Sequence, residues 1–361
     1  MKKEMMRKGT VMMAVCLTAA AAFGTMTASA EGKKIGISLS SKELARSLKD
    51  EEYLTEYLEE LGYEVDVQFG QGDANIQASQ VENMIMSGVD GLIISPWDGS
   101  SMTSVVQLAH ENNIPAIAYD ANILNSEYID YYSADDLEEI GATQGRYIVE
   151  HLDLDNNEDT FNLEIVAGDP ADSNATYFYN GAMEVLKPYI EDGSLNVPSG
   201  QIEFSVTGTP GWEASKAQTR MDNILSTYYT DKRVDAVLCS NDGVALGVIS
   251  SLKSVGYGAE DMPLPITTGQ DCDVASIKSI IAGEQTMTVF KDIRELAKNA
   301  TYMIDCLVNG EEPVIEDYVI YNNGVKDVIA MVVEPKALDI NNYQELLFDS
   351  GYYSEDVLDM E

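Results

Sequence analysis

Seven polar residues stand directly after short apolar runs: Asp120 after AIAY, Asp135 after YYSA, Asp169 after IVAG, Asn241 and Asp242 after VLCS, Asp271 after TTGQ and Lys291 after TVF. Apolar runs of that length, bounded by turn formers, read as buried strands, so these groups converge on strand ends. Carboxylates accept hydrogen bonds from hydroxyls, whereas an amide and an ammonium donate to them, a mixture that suits a neutral polyhydroxylated ligand. Trp212, one of two tryptophans, stands in the loop GTPGWEAS, where an indole face can lie on the C–H face of a sugar ring. Taken singly, each Asp or Asn reads first as a helix cap or turn former. Their shared edge is what points to a ligand.

The elements that must hold those groups alternate. Strands at 34–39, 64–69, 90–96 and 115–120 are separated by amphipathic segments at 44–61, 76–86 and 102–112. The pattern restarts near 133–135 with a helix over 140–152 and a strand at 162–168, then a helix over 175–189 and a strand at 201–206. A helix over 213–229, a strand at 235–240, a helix over 244–255, a strand at 265–270 and a helix over 274–281 follow. This β-α succession predicts an α/β protein of two doubly wound parallel-sheet lobes in tandem. The remaining strand at 286–292, helix at 293–308 and apolar run at 328–333 are too short for a third domain. They are expected to complete the two sheets through a multi-crossover hinge. The expected lobes are 31–134 plus 292–325 and 135–291 plus 326–361. Ligands of such sheets sit outside the carboxyl ends of the strands, here in the cleft between lobes.

Location is written at the start of the chain. Lys2, Lys3, Arg7 and Lys8 precede an apolar run from Thr10, and the small residues Ala28 and Ala30 stand before Glu31, the layout of a cleaved export signal over 1–30. Cys16 is a poor acylation site, because bulky Val15 precedes it and apolar sequence continues beyond. The chain carries 22 basic and 61 acidic residues, net −39, a field that repels nucleic acid and anionic membrane surfaces. The acids are scattered, as for solubility, rather than gathered in a tail. Cys239, Cys272 and Cys306 form an odd set with no CxxC spacing, which argues against a disulfide framework or a zinc site and for inert buried thiols. The acidic loop DLDNNEDT (153–160) crowds oxygen ligands but lacks the EF-hand spacing, so it reads as a solvated turn rather than a calcium site. No metal or cofactor is expected. Neither GxSxG, Walker A nor HExxH occurs, which argues against an enzyme. A glycosidase-like carboxylate pair, Asp120 with Asp271, is the enzymatic alternative.

Longer stretches resemble one family. QASQVENMIMSGVDGLIISPWDG (77–99), AIAYD (116–120), GDPADSNATYFYNGAMEVLKPYI (168–190) and AQTRMDNILSTYYTDKRVDAVL (217–238) are similar to periplasmic sugar-binding proteins of ABC transporters, type I fold. SNDGVALGVISSLKSVGYG (240–258), TGQDCDVASIKSIIAGEQTMTVFKDIRELA (268–297) and YNNGVKDV (321–328) continue the likeness in family order over nearly all of the exported chain. It is nearest the xylose-binding and multiple-monosaccharide-binding branch. The resemblance implies ligand contacts at Arg46 in a first binding loop, Asp120 from the first lobe and Asn174 in DSNAT. It further implies stacking by Trp212 and hydrogen bonds from Asn241, Asp271 and Lys291. It implies capture of a monosaccharide of the xylose, glucose, galactose or arabinose type, delivered by a monomer to an ABC permease. The alternative is a sugar sensor subunit for a chemoreceptor or histidine kinase. Two positions depart from the branch: Ala121 follows Asp120 where an arginine is usual, and Ser47 follows Arg46 where a large aromatic is usual. Asn122 or Trp97 could stand in, although Trp97 reads first as core or lobe-surface packing. A DNA-binding repressor of related fold is excluded by the export signal.

Overall fold

The computed structural model describes residues 32–43, 45–316 and 318–359. The export signal and Cys16 lie outside them. Helices and strands alternate from the first described residues: β1 (Lys34–Leu39), α1 (Ala45–Glu60), β2 (Glu64–Phe69), α2 (Ala74–Ser87), β3 (Gly91–Ile94), α3 (Thr103–Glu111), β4 (Ala116–Tyr119) and β5 (Tyr132–Asp135). There follow α4 (Leu137–His151), β6 (Phe161–Val166), α5 (Ser173–Asp192), β7 (Leu195–Asn196), α6 (Phe204–Thr207), α7 (Ala214–Tyr228), β8 (Ala236–Cys239) and α8 (Asp242–Ser254). The chain continues through β9 (Ile266–Thr267), α9 (Val274–Ile281), β10 (Met287–Phe290), α10 (Ile293–Val308), β11 (Tyr318–Asn322), β12 (Asp327–Val333) and β13 (Lys336–Asp339).

The chain divides into two units, one made of residues up to Ala134 with Ile293–Val333, the other of Asp135–Asp292 with Glu334 onward. In the first unit the sheet runs β11-β12-β5-β4-β3-β1-β2. Pairing is parallel throughout β5-β4-β3-β1-β2, and β11 joins β12 as an antiparallel hairpin at the edge. The central strands are buried along their whole length, as expected where both faces are covered. Leu54 and Leu58 of α1 meet Leu296, Ala297, Ala300, Met303 and Ile304 of α10 over Ile35, Ile37, Ile93 and Ile117. The α10 residues recur three to four apart, the spacing that lays one helix stripe on a sheet. At α2 the boundaries are chemical: the Asp73 carboxylate accepts from Asn75 N and Ile76 N at 2.8 and 3.1 Å, and Gly88 ends the helix at φ 82°.

The second unit repeats the plan with the parallel order β7-β6-β8-β9 and a separate antiparallel pair, β10-β13. Val289 N donates to Gly269 O at 3.0 Å, tying β10 to the chain just beyond β9. Helices α4 and α5 touch backbone to backbone. A methyl at Gly141 would strike Phe178 O, and one at Gly181 would strike Glu138 O, so glycine at both positions is what permits the approach.

Two expectations change. The alternating segment 201–206 is not a strand: Phe204–Thr207 is a single helical turn, and Leu195–Asn196 occupies the edge of β6 that a strand there would need. Ile202 instead receives the Tyr179 hydroxyl on its carbonyl at 2.8 Å. The expected boundary at 325 also moves. Strand β12 is hydrogen-bonded into the first sheet, so residues 326–333 belong to the first unit rather than the second. Among the described residues no helix is long and apolar enough to cross a membrane.

Candidate functional site

Each unit carries a set of polar side chains at the carboxyl ends of its strands. In the first, β4 ends in a tight turn: Ala121 N donates to Tyr119 O at 2.6 Å, and the residue at its apex, Asp120, has φ 61°. A hydrogen bond spanning two residues around a positive φ is a strained γ-turn, costing on the order of 1–3 kcal/mol. The Asp120 carboxylate meets the guanidinium of Arg46, whose Nη2 lies 2.8 Å from Oδ1. Arg46 is held from behind as well, with Nε 3.5 Å from Oδ2 of Asp50 one helical turn along α1. Buried Tyr119 donates its hydroxyl to Asp50 Oδ1 at 2.6 Å. Burial and the adjacent carboxylate of Asp50 push that phenol well above its ordinary pKa, so it remains a donor. Tyr132 donates to the carbonyl of Asp120 at 2.6 Å, fixing the turn from a second side.

Asn122 follows in the same loop. It is buried, and its side-chain oxygen has no partner among the described residues. Trp97 is half exposed, its ring lying over Gly72 and its backbone N–H donating to Gln77 Oε1 at 2.8 Å. It packs on the unit's surface and not in its core.

In the second unit, Asp271 and Cys272 both have positive φ, 97° and 55°. Asp271 Oδ1 lies 2.8 Å from the ammonium of Lys291, the residue after β10. Lys291 is buried, and its nitrogen also stands 3.8 Å from Asp135 Oδ2 and 6.0 Å over the ring of Phe178. Phe178 in turn faces Trp212, ring centroids 6.4 Å apart. Trp212 is in the left-handed region at φ 56°, and its indole packs so closely on Gly168 that a methyl there would overlap the ring. Asn174 is buried four residues before Phe178 on α5, its N–H donating to Asp172 Oδ1 at 2.8 Å. Asn241 caps α8, its side-chain oxygen accepting from Val244 N at 2.9 Å, which leaves the amide nitrogen as its donor group.

The remaining strand-end residues divide by use. Asp169 accepts from Ala171 N at 3.0 Å as a turn former. Asp242 is wholly buried, accepting from Gln285 Nε2 and Asp273 N at 2.9 Å each, and burial raises its pKa well above the carboxylate range. The thiols of Cys239, Cys272 and Cys306 are buried, and burial pushes each up, which keeps them protonated and inert. In the loop 153–160 the oxygens close local turns: Asn156 donates to Asp153 Oδ1 at 2.8 Å, Asp159 N to Asn157 Oδ1 at 3.0 Å, and Tyr189 to Asp155 Oδ1 at 2.6 Å.

The structure thus joins Arg46 with Asp120, and Asp271 with Lys291. Sequence reasoning missed Asp50, Tyr119 and Phe178 as supports of those pairs. Asp50 stands four residues after Arg46, the spacing of a helical ion pair, and was legible in that respect. Phe178 had no such signal, since its role follows from the glycine-mediated approach of α4 and α5.

Similarity to known proteins extends over most of the chain. Residues 35–312 match the family model described as a periplasmic binding protein domain. The multiple sugar-binding periplasmic receptor ChvE of Rhizobium radiobacter is 45% identical over 349 residues, covering 95% of this chain and 99% of that protein. The D-xylose-binding periplasmic protein of Escherichia coli K12 is 35% identical over 333 residues, covering 92% and 94%. Among solved structures, an ABC transporter solute-binding protein from Clostridium phytofermentans with bound β-D-glucose is 44% identical and superposes with a TM-score of 0.84, covering 90% of this chain and 100% of that one. The chain belongs to the periplasmic binding protein family, type I fold, in the branch that includes the multiple sugar-binding and D-xylose-binding proteins.

Proposed function

We propose that the protein captures a neutral monosaccharide of the xylose, glucose, galactose or arabinose type outside the cytoplasm and delivers it to an ABC permease. One observation carries the reading: each unit holds a strand-end aspartate in a positive-φ conformation clamped to a cation, and the second unit also holds an indole braced on Gly168. The ion pairs fix carboxylate and guanidinium or ammonium orientation before a ligand arrives, and preorganisation lowers the cost of binding hydroxyls. Arg46, Asp120, Asn174, Trp212, Asn241, Asp271 and Lys291 are the proposed contacts. The relatives bear on the ligand class, since one binds multiple sugars by name and another holds glucose in its crystal. They are receptors, and none of the groups described requires catalysis.

In this reading residues 1–30 direct export and are removed without lipid attachment to Cys16. The monomer closes about its sugar by a shift of population toward a closed state, which the permease recognises. A chemoreceptor or sensor kinase would read the same state, and transport is the preferred role. Isothermal titration of the purified protein with D-xylose, D-glucose, D-galactose and L-arabinose tests the proposal. Saturable binding of at least one is expected, with a rise in melting temperature, because a ligand at 100 times its dissociation constant adds ~2.7 kcal/mol to stability. No heat and no thermal shift with any of the four would overturn it.

A further inference from the structure

The turn that carries Asp271 is strained twice over, since Asp271 and Cys272 are consecutive non-glycine residues at φ 97° and 55°. Backbone of that kind persists only where its surroundings over-determine it. Here four successive residues each make a hydrogen bond to another element, and three elements supply the partners. Asp242 N, at the start of α8, donates to Gln270 O at 3.1 Å, and Asp271 N donates to Val289 O of β10 at 3.2 Å. The Tyr353 hydroxyl donates to Cys272 O at 3.0 Å, and Asp273 N donates to Asp242 Oδ2 at 2.9 Å. Asp242 thus grips both flanks of the turn, with its own N–H on one side and its buried carboxylate on the other. The carbonyl between those flanks is left to Tyr353.

Tyr353 comes from far along the chain. It follows β13 and the helical turn Gln344–Asp349, and this segment is docked firmly on the second unit. Leu347 is buried, Tyr353 N donates to Leu347 O at 2.8 Å, and buried Tyr352 meets the ring of Phe290 edge-on, with centroids 4.9 Å apart. Phe290 is the residue before Lys291. Burial pushes the Tyr353 phenol up, so its hydroxyl stays a donor. The first unit uses the same device, for Tyr132 donates to Asp120 O at 2.6 Å across its own positive-φ turn.

We propose, building on the sugar-binding reading above, that Tyr353 is a positioning residue of the site: its hydroxyl holds the Gln270–Asp273 turn in the conformation that offers the Asp271 carboxylate to the sugar, which makes the segment after β13 part of the binding machinery. A turn released from one hold visits backbone states in which Asp271 is displaced. Affinity then falls with the fraction of molecules that remain competent to bind. Loss of a similar hydrogen bond elsewhere in the unit lowers stability alone.

Tyr353→Phe removes the hydroxyl and keeps the ring. Tyr179→Phe makes the same chemical change in the same unit outside the turn, since the Tyr179 hydroxyl donates to Ile202 O at 2.8 Å. Both variants and the unmodified protein are titrated with D-xylose, D-glucose, D-galactose and L-arabinose, and amide hydrogen exchange over residues 268–275 is followed without sugar. Tyr353→Phe is expected to bind at least ~5-fold more weakly and to exchange faster over 268–275, while Tyr179→Phe binds within ~2-fold of the unmodified protein. Undiminished affinity in Tyr353→Phe, an equal loss in Tyr179→Phe, or unchanged exchange over 268–275 overturns the inference while leaving sugar binding intact. Failure of the unmodified protein to bind any of the four sugars would instead overturn the reading on which it rests.

Discussion

The two polar sets solve the same problem with different materials. In the first unit the cation is an arginine that reaches out of a helix, and its fork spans two carboxylates, Asp50 and Asp120. In the second it is a lysine at the end of a strand, buried under a phenylalanine and paired with Asp271. The guanidinium is planar and holds several directional donors in a rigid fork. The ammonium is a compact point charge, and the directional surface around it comes from Trp212 and Phe178 instead. In the proposed site, one set would recognise by hydrogen-bond geometry and the other by an apolar face beside a charge. The positive-φ aspartate is common to both.

The sharpest way to break this contrast is at the buried lysine. Lys291→Met removes the buried cation beside Asp271 and the buried Asp135, and removing one partner of a buried pair costs on the order of 3–5 kcal/mol. Sugar affinity is expected to fall at least ~100-fold, with a drop in urea midpoint measured on the unliganded protein. Arg46→Lys is the matching change in the first unit. Its pair is more exposed, so stability should shift by only about 1 kcal/mol. An ammonium replaces the planar fork that meets Asp50 and Asp120, the longer contact to Asp50 is the one expected to be lost, and affinity should fall ~10-fold by titration. Equal losses in the two variants would show that the sets are not built differently.

The apolar half of the comparison is tested by Trp212→Ala and Gly168→Ala. The first removes the indole and should weaken sugar binding ~30-fold or more, since a ring face supplies the contact that carboxylates lack. The second keeps the indole and moves it, because the added methyl would overlap the ring. Overpacking of that kind costs about 1–3 kcal/mol, and affinity should fall ~10-fold with an altered order of preference among epimeric sugars. An unchanged order after Gly168→Ala would mean that the ring position does not set selectivity.

Most of the fold was legible because the alternation of apolar runs and amphipathic segments has few solutions under the rules of parallel sheets. The misread strand at 201–206 shows where this stops. Its pattern alternates, but whether an edge of β6 is vacant is a tertiary fact, and Leu195–Asn196 had taken it. The boundary at 325 failed for a similar reason, since β12 reads equally well as a strand of either sheet until its partner β5 is known. Strand-end aspartates were legible as candidates, but not their pairing. Asp169 and Asp271 look alike in sequence, yet one closes its own turn and the other reaches a lysine. The discriminating feature is backbone conformation, and φ 97° at Asp271 leaves no trace in the residue type.

The smallest effect is expected where the first set is supported rather than formed. Tyr119→Phe removes the hydroxyl that donates to Asp50 at 2.6 Å and keeps both members of the Arg46–Asp120 pair. A buried acceptor that loses its donor costs about 1–3 kcal/mol, so the unliganded protein should melt lower. The effect on binding should be small, about 3-fold, because Asp50 still meets the guanidinium at 3.5 Å and Tyr132 still holds the Asp120 carbonyl. Its sign is informative. With one fewer hydrogen bond, the Asp50 carboxylate is freer to draw Arg46 toward itself and away from Asp120, so affinity should fall rather than rise. Combining Tyr119→Phe with Arg46→Lys then separates the two roles of the helix acid. If Asp50 acts only through the guanidinium, the affinity losses will fail to add, because the lysine variant has already lost the second contact. Full additivity in the double mutant would place Tyr119 outside the set, as a core residue of the first sheet alone.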